Sequence, residues 1–183
     1  PRTASALGTP VLHSATPLLQ ADGRPFPSNR RAQPHEEVPD PEAIRWLPNG
    51  NLLWTSEGSV TRGMGPALHE SQADGRLVRS FALPSMFDAN LGGGTGPRDN
   101  QALEGLALTP DGRTAWLAME DALIQDGPLP RIGAAGAACR ITAVDVASGR
   151  ALRQIAYVPD PIPARGPLPG LTPPVVYADN GIS

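Results

Sequence analysis

"DNQALEGLALTPDGRTAWLAMED", residues 99–121, holds two short apolar runs hinged on Pro110, Asp111 and Gly112, with Glu104 and Glu120 at its margins. Pro fixes φ and Gly tolerates positive φ, so the hinge reads as a turn and the runs as the arms of a β-hairpin. An upstream stretch follows the same plan. "DPEAIRWLPNGNLLWTSEG", residues 40–58, places Glu42, Pro48, Gly50 and Trp54 each 62 positions before Glu104, Pro110, Gly112 and Trp116 (104−42, 110−48, 112−50, 116−54). The closing acids Glu57 and Glu120 follow at 63 (120−57). Such agreement at one offset marks an internal repeat.

Each copy continues alike. A Gly-rich connection leads into "PALHESQADGRLVRSFALP" in the first and "RITAVDVASGRALRQIAYVP" in the second, pivoting on Gly75 and Gly149. These glycines are 74 apart (149−75), so the second connection is longer, and "LPRIGAAGAA" reads as its surface loop. Within the first copy four strands are expected: Ala43 to Leu47, Leu52 to Ser56, Ala67 to Gln72 and Leu77 to Leu83. Four antiparallel strands recurring at this spacing predict an all-β protein built as a β-propeller of four-stranded blades, with a β-sandwich as the alternative. Residues 1–39 form an N-terminal segment that could be a partial blade; 40–99 are the first blade and 100–178 the second. Propellers close with about four to eight blades, so two leave the ring incomplete. Asn180 in "DNGIS" stands where Asn100 stands before Glu104, and 179–183 reads as the start of a third copy in a longer protein.

Composition agrees with short strands and many turns. The 183 residues include Gly 20 and Pro 22, too many breakers for long helices. The formal net charge of −3 and a single basic doublet, Arg30-Arg31, give no reason to expect nucleic acid or an anionic membrane as partner. No apolar run approaches the roughly 18 residues of a membrane span. Every basic residue apart from histidine is Arg, which excludes lysine Schiff-base chemistry, and the lone Cys139 excludes an intrachain disulfide or a Cys-based zinc cluster. There is no G-x-S-x-G elbow, and Ser56 and Ser59 flank Glu57 with no His nearby in sequence. His69, on an expected strand, reads as a surface or inter-blade residue, and Trp54 and Trp116 as packing between blades. None of this sets an oligomeric state.

Residues 40–58, "ALEGLALTPDGRTAWLAMEDALIQDG" and the terminal "YADNGIS" together resemble the bacterial phytase-like proteins, described as having the esterase-like activity of the phytase family. The resemblance covers about Asp40 to Ser183. It implies a β-propeller, export to the periplasm or beyond, and hydrolysis of an ester or phosphate ester as small-molecule substrate. A non-enzymatic exported propeller that binds a ligand or protein through its loop face is the alternative, because a scaffold does not determine chemistry.

If the first strand of each blade lines a central channel, Glu42, Glu57, Glu104 and Glu120 meet near one mouth of it. Clustered carboxylates raise one another's pKa values unless a cation neutralises them, and hard oxygen ligands select calcium or magnesium. Calcium is the expected cofactor, held by these four acids and by Asp126, with Glu104 and Glu120 as catalytic groups for attack by metal-activated water and no covalent serine intermediate. The competing reading is structural: a Glu at a repeated strand end can accept backbone N–H bonds or pair with Arg. Arg62 and Arg98, on Gly-rich connections, could grip a phosphate or carboxylate, or serve as ordinary solvated arginines. Asn100 and Asn180 could bind substrate or simply shape turns, and Asp126 could cap one.

Overall fold

The computed structural model describes residues 9–34 and 36–162. Eight strands follow the predicted order: β1 (Pro41–Trp46), β2 (Leu52–Ser56), β3 (Ala67–Ser71), β4 (Leu77–Ser80), β5 (Leu103–Leu108), β6 (Thr114–Met119), β7 (Cys139–Asp145) and β8 (Ala151–Tyr157). They form two four-stranded antiparallel sheets, β1-β2-β3-β4 and β5-β6-β7-β8. The expected strands of the first copy are recovered within a few residues. β4 is shorter than expected, because the chain turns away through Pro84 into a short 3-10 turn at Ser85–Phe87. Among the described residues no helix is long and apolar enough to cross a membrane.

The repeat extends to the turns that make the hairpins. Gly50 and Gly112 both adopt positive φ (84° and 68°), and their amides close the turns onto Leu47 O (3.0 Å) and Thr109 O (2.8 Å). Any residue with a side chain would be strained there. The two turns also touch, since a Cβ at Gly112 would collide with the Pro48 ring.

Strand alternation assigns the faces. Leu53, Leu68, Leu103, Leu106, Leu117 and Met119 belong to one buried cluster that joins the two sheets. On β6 the burial alternates residue by residue, with Ala115, Leu117 and Met119 inward, as a sheet covered on one face requires. The first strands of the two copies, β1 and β5, lie side by side.

The opposite faces differ. On the first sheet, Leu19 N–H donates to Gly75 O (2.8 Å), Leu77 N–H donates to Leu19 O (3.2 Å), and Phe26 packs edge-on against Trp54 with ring centroids 5.9 Å apart. The N-terminal segment thus pairs with the β4 edge through an isolated bridge at Leu19 and lays Phe26 on this face. Trp54 is fully buried, and its indole N–H donates to Ser71 Oγ (3.0 Å). Trp116, its counterpart in the repeat, is only half-buried, with the Arg153 guanidinium 5.0 Å from its ring centroid. Packing between blades is the expectation for both tryptophans; among the described residues Trp54 is instead buried by Phe26 and His69, outside the cluster that joins the two sheets, and Trp116 is only partly covered. Ile44, Trp46 and Val78 on the first sheet, and Ile155 and Tyr157 on the second, remain exposed.

Candidate functional site

The acids of the repeat converge where β1 and β2 begin and end beside the start of β5. Two carboxylate groups form there, Asp40 with Glu42 and Glu57, and Glu57 with Glu104 and Glu120; within each, one oxygen per residue lies within 4.8 Å of the others. Glu57 belongs to both. It is 4% exposed, although it directly follows a strand. Its amide donates to Asp40 O (3.0 Å), and its Oε1 accepts the Ala102 N–H, which ties the close of the first copy to the start of the second. In the second copy the Glu120 amide donates to Ala102 O (2.6 Å). Backbone bonding and acid clustering, the two competing sequence readings, thus coincide at one residue.

Among the described residues no cationic side chain is hydrogen-bonded to Glu57. Burial raises its carboxyl above the model-peptide value of 4.5, and the charges of Glu104, Glu42 and Asp40 raise it further against the opposing Ala102 hydrogen bond. Glu42 is also raised, by partial burial and then by Glu104 and Asp40. A set of hard oxygen donors that repel one another and share a buried member could hold a metal ion.

A mostly polar cleft of about 330 Å³ adjoins the first group through Asp40 and is lined also by Asn29, Ser59, Thr61, Asp99 and Asn100. Asn100 has φ 56°, the only positive φ outside Gly among the described residues. Asp99 Oδ1 accepts the Thr61 amide (3.1 Å) and shapes the wall.

The remaining sequence candidates are placed elsewhere. The Arg62 guanidinium donates to Gln33 O (2.9 Å) and Asn29 Oδ1 (3.4 Å), fastening the N-terminal segment. Arg98 donates to Ala122 O and to Gly127 O (2.9 Å), fastening the longer connection of the second copy. Neither arginine lines the cleft. Asp126 receives both arms of Arg140 (2.6 and 2.7 Å) and lies in neither acid group. Asn180 lies outside the described residues.

Two features escaped the sequence reading. Asp40 joins the acids from just ahead of β1, two positions before Glu42, and that proximity was the available signal. His69 is buried rather than at the surface: its ring lies 4.4 Å from Trp54, its Nδ1 is 2.9 Å from Ser80 Oγ and its Nε2 is 2.8 Å from Glu37 Oε1. Cys139 offers no nucleophile near the acids. Burial, followed by the charges of Asp121 and Glu120, pushes its thiol up to about 11, far above the range in which a thiolate reacts.

The family model described as "Phytase-like: Esterase-like activity of phytase" matches residues 2–183, so the match takes in the N-terminal segment as well as the repeats. No curated protein and no solved structure matches the chain.

Proposed function

The chain belongs to the phytase-like family, and from that premise we propose a metal-assisted hydrolase of esters or phosphate esters, with calcium held by the convergent carboxylates. The observation that carries this reading is Glu57: a carboxylate common to both acid groups, raised by burial and then by its acidic neighbours. Asp40, Glu42, Glu57, Glu104 and Glu120 would hold the ion. When bound, calcium would neutralise the cluster, screen an anionic ester and lower the pKa of a coordinated water.

The chain's own groups supply the rest. Glu104 and Glu120, half-buried beside Glu57, would accept a proton from an attacking water and return it to the leaving oxygen. Asn100, Thr61 and Ser59 offer neutral hydrogen bonds in the adjoining cleft. Among the described residues no arginine lines the cleft, so an anionic ester would need a cation to lie against Asp40. Asp126, Arg62 and Arg98 serve as structural ties in this scheme.

The architecture we favour is a β-propeller in which the two sheets are consecutive blades, 40–99 and 100–178. The side-by-side first strands and the apolar outer faces that a further blade would cover support it. The N-terminal segment then caps the first blade. Export to the periplasm or beyond follows from family resemblance.

The test is hydrolysis of p-nitrophenyl phosphate and p-nitrophenyl acetate by the longest chain that contains these repeats, with calcium and with a chelator. Calcium-dependent turnover lost in Glu104→Gln supports the proposal. No turnover under either condition, with Glu104→Gln altering stability alone, would leave a ligand-binding propeller as the function.

A further inference from the structure

His69 is not used by the acid site, yet it sits between a hydroxyl and a carboxylate. Ser80 Oγ lies 2.9 Å from His69 Nδ1, and Glu37 Oε1 lies 2.8 Å from His69 Nε2. His69 and Ser80 are directly opposed on β3 and β4, while Glu37 arrives from the N-terminal segment. The imidazole is 1% exposed and walled by Trp54 and Phe26, whereas Ser80 is exposed on the last strand of the sheet. From this geometry we propose that Ser80, His69 and Glu37 form a second hydrolytic site, acting on small carboxylic esters through a serine nucleophile.

A hydroxyl within hydrogen-bond reach of an imidazole whose far nitrogen meets a carboxylate is the arrangement that activates serine. Here Nδ1 faces the serine and Nε2 the acid, the reverse of the serine proteases, but either imidazole nitrogen can take the proton. The Glu37 approach is close though poorly aligned for a hydrogen bond, as catalytic contacts often are before substrate binds. The backbone contributes as well. Phe81 N–H donates inward to Leu68 O (2.9 Å), so ladder alternation turns the Ser80 N–H away from β3, on the edge of β4 beyond the Leu77 N–H that Leu19 occupies. There it can donate to an oxyanion developing beside Oγ. Val78, exposed two residues back on the same strand, offers an apolar rest for a short acyl chain.

The reaction balances without a co-reactant beyond water. Ser80 Oγ bonds to the ester carbonyl carbon as its proton passes to His69 Nδ1. The C–O bond to the leaving alcohol breaks, and that alcohol takes the proton. Water then attacks the acyl-serine, His69 accepts its proton and returns it to Ser80 Oγ, and the carboxylic acid departs.

The trio is peculiar to the first copy. At the register positions of His69 and Ser80, the second copy has Ala143 opposite Trp116 and Arg153 opposite Ala143.

The test treats the full chain with a fluorophosphonate probe, maps the adduct by mass spectrometry, and follows p-nitrophenyl acetate hydrolysis with chelator present. The proposal expects an adduct on Ser80. It also expects hydrolysis lowered at least about 100-fold in both Ser80→Ala and His69→Gln, with the Ser80→Ala melting temperature unchanged. Glu37→Gln should keep the adduct but slow its formation. An adduct elsewhere, no adduct, or hydrolysis by Ser80→Ala equal to wild type overturns it. Chelator insensitivity separates this site from the carboxylate site, so either can fail alone.

Discussion

Glu57, just past the end of β2, and Glu70, on β3 beside the start of β2, are buried almost equally at 4% and 3% exposure. Glu70 is fully provided for. Asn51 and Asn49 donate to its Oε1 (2.6 and 3.1 Å) and Arg79 to its Oε2 (2.8 Å), and Arg79 continues across to Val146 O and Ala147 O of the second copy. Burial pushes its pKa up, but the bonds from Asn51, Asn49 and Arg79 outweigh burial and leave it below 4.5. Glu57 has one backbone donor and three acidic neighbours, and it is raised. Burial of a carboxylate costs similarly at both ends, so the difference lies in what neutralises it. At Glu70 the chain supplies the neutralising groups and the result is a joint. At Glu57 no such groups are found among the described residues, and that difference is the ground on which a cation is proposed there.

The sharpest way to break this contrast is to remove Glu70. Glu70→Ala leaves Arg79 and two asparagine amides without their acceptor at the junction of the two copies; Arg79 is over a third exposed and keeps its carbonyl partners, so the loss is expected at about 1–3 kcal/mol. Urea denaturation of the variant measures it. A loss below about 1 kcal/mol would mean that Glu70 is no joint and that the comparison has lost its structural half.

Calcium tests the other half. An ion bound only by the folded chain stabilises it by RT ln(1 + [L]/Kd), about 2.7 kcal/mol at a hundredfold excess over Kd. Thermal unfolding near neutral pH should show this shift, Glu104→Gln should diminish it, and Glu70→Gln should leave it intact. An equal shift in wild type and Glu104→Gln would place the ion elsewhere.

The sequence revealed the parts of this picture that the repeat carries. The Pro-Asn-Gly and Pro-Asp-Gly turns set the hairpins, and the offsets of 62 and 63 brought Glu42, Glu57, Glu104 and Glu120 into one reading. It was blind where one copy departs from the other. Asp40 corresponds to Ala102 (40+62). Glu70, paired with Leu53, corresponds to Val144, paired with Ala115, so a search for recurring acids passes over both. Trp54 and Trp116 recur, yet their burial differs because Phe26 comes from outside the repeat. Arg62, Arg98 and Asp126 looked available as letters. Their carbonyl and guanidinium partners lie 29, 24 and 14 positions away, separations that no local pattern encodes.

The smallest expected effect is also the most specific, because the two carboxylates should respond to pH with opposite sign. Glu57 is raised above 4.5, so the folded chain holds its proton more tightly than the unfolded chain does. Its contribution to stability is therefore largest in acid and declines as pH rises from 4.5 through the raised value. Glu70 is lowered, so its contribution is present above 4.5 and is lost as pH falls through the lowered value. In calcium-free buffer Glu57→Gln should thus be neutral or stabilising near pH 7, by up to about 1 kcal/mol, and should lose that advantage near pH 4. The glutamine carbonyl still accepts the Ala102 N–H while the repulsion from Glu104, Glu42 and Asp40 disappears. Glu70→Gln should instead destabilise near pH 7 and approach wild type in acid. Unfolding midpoints of the two variants across that range test both signs together. Parallel profiles would mean that the protein already neutralises Glu57, and the case for a cation there would fall with them.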